Sequence, residues 1–428
     1  MADSWRSLPG PENVARYELE NGIVLLVREN DTSPSVVITG SLLVGAVDEP
    51  AEQAGLAAFT AACLDRGTER RSFEQIYEEV ESIGAAIHVA GGGHVTHFVG
   101  KSLAEDLPRI LDVLADLVRH PTFPEEQVEK VRGEILTALA ERANNTQAMA
   151  ALAFQEVAYP PDHPYSRSAR GYPETIQRLR REDLVRFYRE GYGPRGMIVA
   201  VVGAVQAETV RSQIEAAFGD WEGGGFRRDG LPEAPPPTEV RRKVVPMPGK
   251  VQSDIVLGVP GPPRTHPDFL TASLANTIFG VFGMYGRLGR NVRDEQGLAY
   301  YAFSRLDGGM GPGPWRVIAG VHPTNVRRTV ESIRQEIRRM RDEPIPAEEL
   351  EDNKAYITGS LPLRLETNEG VAGALIEMER YGLGLDYLRR YPDLIRAITA
   401  EEIQQVVRRW LDPDAFALGI AGPPEEAS

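Results

Sequence analysis

YPETIQRLRREDLVRFYREGYGPRGMIVAVVG, residues 172–203, aligns without a gap to YPDLIRAITAEEIQQVVRRWLDPDAFALGIAG, residues 391–422, at a constant offset of 219. Seven of the 32 positions are identical, among them Tyr172 with Tyr391, Glu182 with Glu401, Pro194 with Pro413 and Gly203 with Gly422. The pattern repeats as well as the letters: an amphipathic helix, a Pro-containing turn, then an apolar strand that stops at Gly. Upstream, SVVITG from Ser35 corresponds to SDIVLG from Ser253. The chain therefore reads as two similar domains in tandem, 1–220 and 241–428. Between them GDWEGGGFRRDGLPEAPPPTEV, residues 219–240, replaces periodic apolar residues with Gly, Pro and charge, so 221–240 reads as the linker.

Within the first half, strand patterns at 22–28, 36–44 and 198–202 mix with long amphipathic helix patterns at 103–119, 124–144 and 181–190. Their order is not a regular β-α-β alternation. An α+β fold follows, with two homologous domains, each an antiparallel-rich sheet backed by helices.

Composition narrows the function classes. A chain of 428 residues, 42% apolar and 25% charged, suits two cores and matches soluble globular usage. No apolar run approaches the ~20 residues of a membrane helix, so no membrane span is expected. The N-terminal segment lacks the basic start and apolar run of a secretory signal, and the single cysteine, Cys63, has no internal disulfide partner. A cytoplasmic location is the expectation. A net charge of −15 argues against nucleic acid as a partner, because phosphate neutralisation needs a basic face. It is compatible with basic peptides. The glycine runs at 91 and 308 lack a following Lys-Ser/Thr and helix, so no phosphate loop is present.

HPYSRSARGYPETIQRLRREDLVRFYREGYGPRGMIVAVVGAV, residues 163–205, resembles the close of the N-terminal domain in pitrilysin-type zinc peptidases, the family of insulin-degrading enzyme and the mitochondrial processing peptidases. The opening NGIVLLVREN, the segment HPTFPEEQVEKVRGEIL and, in the second half, GMYGRLGRNVRDEQGLAYYAFS extend the resemblance over almost the whole chain. It implies the processing-peptidase fold. Catalytic members carry HxxEH in a segment resembling GLAHFLEHMLFKGT, with two His one helical turn apart as zinc ligands and the Glu as general base. Here that segment is GLAAFTAACLDRGT, residues 55–68. The ligand positions are Ala58 and Ala62, the base position is Ala61, and the third ligand position falls at or beside Ala138. Alanine has no lone pair to give a metal. Glu134 and Glu141 lie about one turn to either side of Ala138 and would substitute only after a slip in register.

Other histidines supply no replacement site. His88, His94 and His97 cluster in IHVAGGGHVTHFVG, which resembles the family strand that holds substrate beside the zinc helix, with Ala90 at the substrate-binding position. His94 and His97 are an odd number apart and would face opposite sides of a regular strand. A shared metal there needs a bulge at the glycines 91–93; otherwise these are solvated or edge-strand residues. His120, His163, His266 and His322 stand in Pro-flanked or loop contexts and read as structural.

In the second half, Arg293 and Tyr300 match the Arg/Tyr pair of the family's C-terminal domain, which the resemblance places across the substrate chamber from the zinc. A guanidinium and a phenol donate hydrogen bonds to a peptide carbonyl without titrating near neutrality. Gly280 and Gly283, with Gly286, resemble the glycine-containing substrate loop. The resemblance thus implies a non-catalytic subunit: no cofactor in this chain, zinc in a homologous HxxEH-bearing partner held 1:1, and a peptide as substrate. The chain alone is expected to form at most a weaker self-pair, a homodimer. A catalytically inert scaffold of the same fold is the alternative.

Overall fold

The computed structural model describes residues 8–228, 230–281 and 286–424. The first half runs β1 (Ala15–Glu18), β2 (Val24–Glu29), β3 (Ser35–Leu42), α1 (Leu56–Ala62), α2 (Phe73–Glu81), β4 (Ala86–Gly91), β5 (Thr96–Leu103), α3 (Leu107–Arg119), α4 (Glu125–Ala143), α5 (Thr146–Ala158), α6 (Pro173–Arg178), α7 (Arg181–Gly191), β6 (Ile198–Gly203) and α8 (Ala207–Phe218). The second runs β7 (Arg241–Pro246), β8 (Ser253–Pro260), α9 (Phe269–Asn276), β9 (Ala299–Leu306), β10 (Pro314–Val321), α10 (Val326–Asp342), α11 (Ala347–Arg364), α12 (Asn368–Arg380), α13 (Tyr387–Ala397), α14 (Ala400–Trp410) and β11 (Ala417–Gly422).

The duplication is visible in the sheets. The first has the order β1-β2-β6-β3-β5-β4 and the second β7-β11-β8-β10-β9. Apart from β1, the two orders correspond strand for strand. In both, the pair that joins the terminal strand of a half is parallel (β2 with β6, β7 with β11), and the other pairs are antiparallel. The expected α+β architecture of antiparallel-rich sheets backed by helices is the observed one. IVAVVG and ALGIAG are buried throughout because β6 and β11 each lie between two strands and under a helix, which favours a continuous apolar run over alternation.

Element ends shift where local chemistry intervenes. The helix expected from 103 begins at Leu107, because residues 104–106 form a tighter 3₁₀ turn and a proline, lacking N–H, sits in the first turn of α3.

Each compact unit takes a helix from the opposite half of the chain. The first unit holds the described residues up to Thr137, from Ser168 to 228, and Leu361–Tyr391. The second holds Ala138–Arg167, the described residues from Gly230 to Ser360, and those from Pro392 onward. In the first, α12 lies on β3 and β6, burying Val371, Ala372, Leu375 and Ile376. In the second, α5 lies on β8 and β11, burying Ala150, Ala153 and Phe154. Gly419 makes that contact possible: a Cβ there would overlap the Ala150 carbonyl oxygen and the Phe154 amide nitrogen.

The linker forms no regular element among its described residues, yet its first part is packed. Phe226 sits against Phe187 with ring centroids 5.4 Å apart, and Arg228 Nε donates to Asp48 Oδ1 at 2.8 Å. No described helix is long and apolar enough to cross a membrane.

Candidate functional site

Helix α1 is anchored at its start by a buried acid. The carboxylate of Glu49, 4% exposed, accepts from the backbone N–H groups of Gly55 at 2.9 Å and Ala57 at 2.8 Å. Two orphan donors of the first turn are thereby satisfied, and the negative charge faces the positive end of the helix. Gly55 enters the helix at φ +97, a left-handed conformation that a side chain would strain. Nothing local in the sequence singles out Glu49 for this role; its partners are set by the turn that folds residues 49–55 back on themselves.

The expected zinc positions on α1 have two environments. Ala58 and Ala62, one turn apart, are half-buried on an accessible face, whereas Ala61 is fully buried. α1 presses on β4: a Cβ added to Gly91 would stand 3.0 Å from the Ala57 carbonyl oxygen and the Ala61 Cβ, and 3.1 Å from the Ala58 Cα. Ala90 precedes that contact on edge strand β4, opposite His97 of β5. The structure thus brings Ala58, Ala61 and Ala90 to one helix–strand contact in the first unit. Ala138 is exposed on α4 and belongs to the second unit. Glu134 is engaged by a forked ion pair, with Arg66 Nη2 to Oε2 at 3.0 Å and Nη1 to Oε1 at 3.3 Å.

The histidines do not converge. His88 is exposed on β4, His94 precedes β5 in the turn and its carbonyl oxygen accepts from Arg228, and His97 is half-buried on β5. Burial, with the Arg380 guanidinium as a smaller contribution, pushes the His97 imidazole down to about 4. Among the described residues no group of three or more His, Cys, Asp or Glu is arranged to hold a metal.

In the second unit, Arg293 lies exposed in a π-helical segment, Gly289–Glu295, which Gly297 ends at φ +61. Tyr300 follows on β9. Ala299 pairs with Val321 and Tyr301 with Gly320, so Tyr300 is the extra residue of a β-bulge. A bulge re-aims side chains. Tyr300 is 57% exposed while Tyr301 turns in to bond the buried carboxylate of Asp254. Gly280 is buried, and a Cβ there would lie 2.7 Å from the Ser304 nitrogen and 2.8 Å from Leu288 Cδ1. Its close approach is to β9. Gly283 lies outside the described residues.

Comparison with known proteins finds two family profiles in succession along the chain. Residues 24–164 match the profile described as Insulinase (Peptidase family M16), and residues 178–357 match that described as Peptidase M16 inactive domain. An uncharacterized zinc protease of Streptomyces coelicolor is 27% identical over 425 residues, covering 97% of this chain and 90% of that protein. The bovine (Bos taurus) mitochondrial-processing peptidase subunit beta is 24% identical over 431 residues, covering 95% of this chain and 84% of that protein. A crystal structure of a peptidase M16 inactive domain from Pseudomonas fluorescens has a TM-score of 0.89, over 97% of this chain and 100% of that one, at 23% identity. At that identity the likeness speaks for the fold.

Proposed function

The chain belongs to peptidase family M16, and on that premise we propose that it is the non-catalytic subunit of a two-chain zinc metallopeptidase. One asymmetry carries the reading. Positions 58, 61, 62 and 138, where the family's ligands and base would stand, are alanine, while Arg293 and Tyr300 are present and exposed. An alkyl side chain offers no lone pair, so the residues present do not fit zinc. The homologous partner would bring HxxEH and the metal. This chain would bring a guanidinium and a phenol that hold a peptide carbonyl through fixed donors, and edge strand β4 with Ala90 beside the bound peptide. Gly280, close against Ser304 of β9, would border the bound peptide as the resemblance expects. That the bovine relative is named a subunit supports a partnered state.

The test is co-expression with an HxxEH-bearing homologue from the same genome. A 1:1 complex by size exclusion, with zinc and peptidase activity in the complex and neither in this chain alone, is the expected result. About one zinc per chain surviving dialysis of this protein alone would sink the reading. Failure of the two chains to associate at micromolar concentration would turn it toward an inert scaffold.

A further inference from the structure

A polar cavity of about 590 Å³ in the second unit lies among the π-helical segment Gly289–Glu295, α10 and the start of α11. That volume is in the range of roughly 300–1,000 Å³ usual for small-ligand sites. Its walls carry six carboxylates against three guanidiniums, a surplus of three negative charges.

Two buried acceptors on those walls have no hydrogen-bond partner. Glu336 is 1% exposed, and its bonds from Asn291 Nδ2 and from Arg339 Nη1 at 3.0 Å all fall on Oε1; Oε2 has none. Asn353 Nδ2 donates to the Glu349 carbonyl oxygen at 2.8 Å, and Asn353 Oδ1 has no donor. A buried acceptor without a donor is costly, and two on one cavity, against a single unpartnered donor there, Arg287 Nη1, suit an occupant that supplies more N–H or O–H groups than it accepts. A divalent cation does not fit, because no described group of three or more carboxylate, His or Cys side chains is arranged to hold one. A planar guanidinium, with five donors and a positive charge, answers both the orphan acceptors and the charge surplus; a primary ammonium does so with three.

We infer that this cavity binds the guanidinium or ammonium head of a basic compound, either a free small cation or the side chain of an arginine or lysine within a peptide. Neither Arg293 nor Tyr300 lines this cavity, and it needs no partner chain. Its failure and that of the proposed function are therefore distinguishable.

Isothermal titration of the purified full-length protein at low salt tests this with three probes: agmatine, the tripeptide Gly-Arg-Gly, and its neutral citrulline isostere. Saturable binding of agmatine or of Gly-Arg-Gly is expected, and which one binds more tightly distinguishes a free cation from a peptide side chain. Glu336→Gln should weaken that binding roughly tenfold or more, the effect of neutralising a charged acceptor. Asn353→Ala should weaken it as well, and it carries the test if the first variant does not fold. Binding of neither cation, equal binding of the citrulline peptide, or wild-type affinity in both variants would overturn the assignment.

Discussion

Ala61 of α1 faces Gly91 of β4 so closely that a Cβ on Gly91 would lie 3.0 Å from the Ala61 Cβ. Ala61 is fully buried, and the proposed function places the family's general base at this position.

Ala61→Glu should therefore be damaging by itself. It places a carboxylate with no partner in a filled contact, at a cost of about 1–3 kcal/mol or more. Ala58→His and Ala62→His, on the half-buried face, should cost less. Thermal melts of the three single variants check the ranking; equal melting temperatures would show that α1 moves off β4 freely.

In an assembled complex with an HxxEH partner, Arg293→Ala or Tyr300→Phe should leave association and zinc loading intact while lowering turnover. Losing one oxyanion donor typically costs ~2.7–4 kcal/mol, about 10²–10³ in rate. A pure positioning role would appear partly in KM. The double variant should be less than additive if both groups bond one carbonyl. Steady-state kinetics on several peptides decides, and unchanged turnover in the double variant would leave the pair structural.

Gly419→Ala should destabilise the second unit, because the added methyl meets the backbone of α5, not a movable side-chain end. Overpacking of this kind costs roughly 1–3 kcal/mol. Phe154→Ala, which empties the same contact, should cost about 3–5 kcal/mol. Urea unfolding of both variants measures this; a neutral Gly419→Ala would mean that α5 does not sit on β11 in solution.

Stability should also carry a pH signature from His97. Its folded value of about 4 lies below the ordinary 6.5, so the unfolded chain takes up the proton first. This contribution is fully present above pH 6.5 and is lost as pH falls toward 4, with a limiting slope of about 1.4 kcal/mol per pH unit. His97→Gln cannot take up that proton. The stability of the wild type relative to the variant should decline between pH 6.5 and 4.5, and parallel curves would place the imidazole in contact with water.

The two-domain α+β architecture was legible in the chain because the duplicated pattern is local: α7 and α14, and likewise β6 and β11, begin 219 residues apart, as the aligned letters require. The exchange of α5 and α12 was not legible. Alanine-rich TQAMAALAFQEVA reads as a helix wherever it packs, and only Gly419, more than 250 residues downstream, opens the space on β11 that receives it. The expected linker was recognisable from Gly and Pro, but the seating of Phe226 on Phe187 and of Arg228 on Asp48 was not.

Donor chemistry is a property of the residue itself. Alanine at 58, 61, 62 and 138 offers no lone pair whatever the fold does with those positions, so the sequence alone determined that these four side chains cannot ligate a metal. Exposure, close approach and unmet hydrogen bonds are properties of residues brought together from far apart. A β-bulge against Val321 turns Tyr300 outward, the fold-back from Glu49 caps α1, and the walls around Glu336 leave one of its oxygens without a donor. Those were decided by the tertiary structure, because burial and pairing depend on which distant side chains fill the space around a group, and no local pattern encodes that.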